Sequence, residues 1–126
     1  MKKADALNKY ERAANSLYRD YTDAQFRAYE IEQKKEKEVN EGKKEIYDAE
    51  LQYVNERRDL ALKRYKKYKR EHRVQGLDYK SIEKGQNGLL EERKLGYQLN
   101  NSTPITLGAG NQPGMNFFDA SNVRAM

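Results

Sequence analysis

Cysteine and tryptophan are missing from the sequence, histidine occurs once, and proline occurs twice in 126 residues. Without cysteine the chain has no disulfide framework, no thiolate nucleophile and no sulfur-ligated metal. The one histidine, His72, has no second histidine for a metal site and no cysteine for a catalytic dyad, so it reads as a surface or seam residue. Long apolar runs are also lacking. No window approaches the roughly 18–20 apolar residues that span a bilayer. The opening MKKADALNKYERAANSLYRDY carries acids and no apolar core, unlike a secretory signal. The expectation is a soluble chain with no membrane partner.

What is present is charge. Charged residues make up 36% of the chain and hydrophobic ones 37%, a poor balance for a compact sphere. The remaining outcomes are disorder or an elongated helical structure that buries a narrow stripe. The net charge of +5 is local: residues 1–62 carry 13 Lys/Arg against 14 Asp/Glu, whereas residues 63–73 carry seven against one.

From Lys3 to about Gln75 there is no proline and one glycine, Gly42, in a run rich in good helix formers. Leu7, Tyr10, Ala14, Leu17, Tyr21, Ala24, Ala28 and Ile31 follow alternating spacings of three and four, a heptad seam. The seam slips at Lys35 and resumes at Val39, Gly42, Ile46, Ala49 and Tyr53. A further shift precedes the set Val54, Ala61, Tyr65, Tyr68 and His72. Such a drifting stripe suits contact with different neighbours along the helix. The pattern predicts one amphipathic helix over residues 1–75, about 110 Å long at about 1.5 Å per residue. A kink or turn at Asn40–Glu41–Gly42, giving a helical hairpin, is the alternative. NEGKK lacks proline and a second turn-former, which favours the continuous helix.

Gly76 can cap that helix in the left-handed conformation. Residues 76–99 then predict a shorter helix, started by Asp78 or Ser81, with Ile82, Leu89, Leu90, Leu95 and Leu99 as apolar contacts. Gly85, Gly88 and Gly96 weaken it by about 1 kcal/mol each, so fraying is expected at KGQNG. Residues 100–126 hold both prolines, five Asn and only two charges, Asp119 and Arg124. Such a tail takes up structure by lying on another surface, with Ile105, Leu107, Met115, Phe117 and Phe118 as docking anchors. The fold class is thus all-α and coiled-coil-like: a long helix, a shorter one and an extended C-terminal tail.

Candidate chemistry is sparse. Lys63, Arg64, Lys66, Lys67, Lys69, Arg70 and Arg73, with Tyr65 and Tyr68 between them, could grip phosphates without reading sequence. They could equally face an acidic protein, or form a solvated helix end. Glu30, Glu32, Glu36, Glu38, Glu41 and Glu45 interleave with lysines, as solvated helices do. LGAGNQPG has no preceding strand and no following GK[ST], so it is no phosphate loop. No catalytic, cofactor or metal residue is assigned, and no small-molecule substrate is expected.

In texture, the stretches YRDYTDAQFRAYE, YDAELQYVNERRDLALKRYKKYKRE and GLDYKSIEKGQNGLLEERKLGY resemble the small helical internal virion (core or ejection) proteins of short-tailed bacteriophages. The resemblance covers residues 7–99 and carries no diagnostic motif. The apolar N-terminal segment common in that family is missing. It implies a structural oligomer, packed in several copies near a portal or within a capsid or tail, located in the virion. Outside that setting a cytoplasmic location is expected. The expected function is a structural packing component of a large assembly. Its partners would be copies of itself or a larger structural protein. Sequence-independent nucleic-acid binding through residues 63–73 is the alternative.

Overall fold

The computed structural model describes residues 3–102, which form three α-helices and, among the described residues, no strand. Helix α1 spans Lys3–Lys37, α2 Glu41–Glu71 and α3 Tyr79–Ser102. The all-helical class follows the sequence reading. The single helix expected over residues 1–75 does not: it breaks at residues 38–40, and the chain takes the hairpin alternative.

The break needs fewer signals than the sequence argument demanded. Glu38 closes α1 with a bond from its N–H to the Lys35 carbonyl (3.1 Å). Asn40 then sits in extended backbone (φ −85°, ψ 118°), and its side chain accepts from the Lys43 N–H at 3.0 Å. One capping asparagine and a three-residue connection suffice. Packing supplies the rest, because a straight helix would leave both apolar stripes in water, whereas a hairpin buries each against the other.

The two helices run antiparallel. Tyr10 meets His72 with ring centroids 5.3 Å apart, Tyr18 meets Tyr65 at 4.8 Å, and Lys35 pairs with Asp48. Their interface holds two apolar clusters. Near the tip Ala28, Ile31 and Val54 are buried beneath Ala24, Tyr47 and Leu51. Nearer the base Ala14, Tyr18 and Tyr65 are buried together with Ile82 from α3.

Helix α2 ends at Glu71, earlier than expected, with His72 as its cap. Gly76, at φ +90°, serves the turn from Val74 to Leu77 and does not cap the helix. It is the third residue of a turn that demands a left-handed residue there. Asp78 then caps α3: its carboxylate accepts the Ser81 N–H (3.2 Å) and hydroxyl (2.8 Å). The helix runs unbroken through KGQNG, where fraying was expected. Ile82 and Leu90, both buried, hold that stretch down.

The chain divides into two units, Met1–Lys94 and Leu95–Met126. In the first, α3 runs parallel to α1, since Gln86 bonds Asn15 and Arg93 bonds Asp23. In the second, Asn101 donates to the Tyr97 carbonyl at 2.8 Å, and Leu95 and Leu99 are exposed. The proposed tail anchors Ile105, Leu107, Met115, Phe117 and Phe118 lie outside the described residues.

Candidate functional site

Apolar residues in α2 come as adjacent pairs seven apart: Ile46–Tyr47, Tyr53–Val54 and Leu60–Ala61. Neighbouring residues on a helix point about 100° apart. The pairs therefore draw two parallel rows, and α1 covers only one. Val54 and Ala61 are buried and Tyr47 half-buried, while Ile46, Tyr53 and Leu60 are 61%, 59% and 47% exposed.

The predicted seam divides accordingly. On α1, Ala14, Ala28 and Ile31 are buried, and Leu7, Tyr10, Leu17, Tyr21 and Ala24 are half-buried. These residues pack within the chain. Val39, Ile46 and Tyr53 do not join them. Val39 lies in the connection and is 89% exposed, and the other two sit one step around α2 from the row that faces α1. Leu60 continues this outer row and was missed, although its place seven residues after Tyr53 marks it. Beside it an open groove of about 650 Å³ is bordered by Asp20 and Arg27 of α1 and by Tyr53, Arg57, Leu60 and Arg64 of α2.

The structure also sorts the basic cluster. Lys69 turns inward, with its ammonium 3.0 Å from Glu83 and about 6 Å from the ring centres of Tyr65 and Tyr79. Lys63, Arg64, Lys66, Lys67, Arg70 and Arg73 are exposed, and none of them forms an ion pair among the described residues. The tyrosines between them face the interior. Tyr65 is 2% exposed, Tyr68 stacks on His72 at 4.1 Å, and neither ring shares the face of the cations.

Glu83, which no sequence signal singled out, anchors α3. Its Oε2 accepts from the Tyr65 hydroxyl at 2.6 Å and from Lys69 at 3.0 Å. Partial burial pushes the carboxyl up, but the Tyr65 hydroxyl and the Lys69 ammonium outweigh it and hold the group below the ordinary glutamate range. Burial, reinforced by the Glu83 carboxylate, drives Tyr65 far above the usual tyrosine value, so it stays a donor. Around this node Tyr18 donates to Asn87 at 3.0 Å, and Tyr79 donates to the His72 carbonyl at 2.6 Å. These groups are spent on joining helices.

Among the described residues no three His, Asp or Glu side chains converge as a metal site, and no helix is long and apolar enough to cross a membrane. Among the described residues α2 displays an exposed apolar row and a basic face whose cations form no ion pair. Compared with known proteins, the chain matches no family model, no curated sequence and no solved structure.

Proposed function

We infer that the chain is a non-catalytic packing protein that joins a large assembly by pairing the outer row of α2 with the same row of another copy. One observation carries this reading: α2 repeats its apolar pattern one residue out of step, with the inner row buried by α1 and the outer row, Ile46, Tyr53 and Leu60, left in water. A helix that needed only its own hairpin partner would need only one row. Tyrosine suits such a surface, since it buries a ring and keeps its hydroxyl wet.

The contact is weak by itself. Burying the exposed half of three such side chains contributes on the order of 1 kcal/mol each, about 6 kcal/mol for a symmetric pair. Association costs about 4–15 kcal/mol, so two copies alone form a marginal pair, and stability comes from several copies or a larger scaffold. A phage virion interior, the setting implied by the textural resemblance, supplies that multiplicity.

Sedimentation of the purified chain tests the reading. Average mass is expected to rise steadily with concentration up to the solubility limit, since the net of at most about 2 kcal/mol left after the association cost corresponds to a Kd of about 30 mM. Combining Tyr53→Glu with Leu60→Glu should remove the rise while leaving the helical signal intact. A chain that stays monomeric throughout, or a variant that associates as well as the parent, overturns the reading.

A further inference from the structure

We propose that the outer face of α2 near its C-terminus binds the phosphate backbone of duplex nucleic acid without regard to sequence. This surface is distinct from the apolar row, and the proposal does not rest on the packing reading. Lys63, Lys66, Lys67 and Arg70 recur at spacings of three and four, which lines them along one side of the helix. The residues turned into the bundle in this stretch are Ala61, Leu62, Tyr65 and Tyr68, so the row looks away from the interior. Arg73 extends it past the helix end. From Lys63 to Arg73 the row covers about 15 Å at about 1.5 Å per residue. A duplex presents one phosphate for about every 1.7 Å of its axis, so that length offers more anions than the row has cations.

Three features narrow the ligand. The cations form no ion pair among the described residues, unlike Lys69, which Glu83 neutralises. An exposed cation row with a single acid, Glu71, in its stretch gains by releasing counterions from a polyanion. The rings of Tyr65 and Tyr68 are turned inward, so the face has no platform on which unpaired bases could stack, which disfavours a single strand. Charge is also polarised along the hairpin. Residues 63–84 hold nine bases against three acids, whereas residues 30–50 around the tip hold five against eight. A polyanion is therefore steered to the base of the hairpin and repelled from its tip.

Fluorescence anisotropy of the full chain with a random-sequence DNA duplex tests this. With about five phosphates engaged, log Kd should rise with log salt at a slope of about 4.5, a loss near 500-fold between about 50 and 200 mM. Replacing Lys63, Lys66, Lys67 and Arg70 together by Gln should weaken binding at least about 100-fold and bring the slope near 1. Glutamine keeps the helix, and a glutamate set gives the same test with opposite charge. Tyr53→Glu with Leu60→Glu should leave DNA affinity unchanged, which separates this surface from the packing row. A slope below about 2, or undiminished binding by the glutamine variant, overturns the proposal. So does a parent chain that ignores DNA but binds polyglutamate through the same residues, an outcome that identifies an acidic protein as the partner.

Discussion

Replacing Gly85 and Gly88 by alanine should stabilise the protein, and the structure says by how much. Both glycines lie inside α3, away from its ends, and a Cβ added at either meets no heavy atom within 4 Å. Alanine there loses nothing to crowding and gains the ordinary helix preference, about 0.5–1 kcal/mol per site, partly by restricting the unfolded chain. With neither Cβ crowded, the pair should give about 1–2 kcal/mol, a rise of roughly 5–15 °C in Tm for a unit of this size. Thermal melts followed by circular dichroism measure it. Hydrogen exchange of the α3 amides provides a second readout, with protection rising about 5–30-fold. Gly42→Ala is the control. Its Cβ would come 3.1 Å from Asn40 Oδ1, the atom that caps α2, so it should give no gain. A double variant no more stable than the parent, or a Gly42→Ala gain as large, refutes the reasoning.

Two further outcomes follow from the joints of the bundle. Because the folded state holds the Glu83 carboxyl below its unfolded value of about 4.5, its contribution is present above that pH and lost as pH falls through the folded value. Urea melts between about pH 3 and 7 should show this loss, and Glu83→Gln should flatten it; an unchanged acid limb in that variant contradicts the assignment. Gly76→Ala should cost about 1–2 kcal/mol, since φ is +90°, and a urea midpoint equal to the parent's refutes this.

Part of α1 was legible: Ala14, Ala28 and Ile31 of the predicted stripe are all buried, but Tyr18, one residue out of phase with it, is buried too and was missed, while Leu17 is only half-buried. In α2 the sequence carries two phases at once. Ile46, Tyr53 and Leu60 satisfy the heptad as well as Tyr47, Val54 and Ala61 do, and only α1 decides which set goes inside. Periodicity within one helix holds no information about that choice. The break at residues 38–40 was hidden for a related reason, since the local signal is a single asparagine and the gain comes from packing across the hairpin. Glu83 was invisible because it resembles any exposed helical acid until α3 places it over Tyr65 and Lys69. The basic cluster, by contrast, was plain as a charge imbalance. The structure added which of its members form no ion pair among the described residues.

The hairpin also sets an order of assembly. Lys35 and Asp48 close a short loop, Ile31 and Val54 share a cluster across a longer one, and Tyr10 and His72 meet across most of the two helices. Each doubling of a closed loop costs about 0.6 kcal/mol of chain entropy. Closure therefore starts at the tip and zips toward the base, each step shortening the loop that the next must shut. During synthesis, which delivers the N-terminal part first, this zipper has all it needs to start once Val54 has emerged, before the basic segment has followed it out.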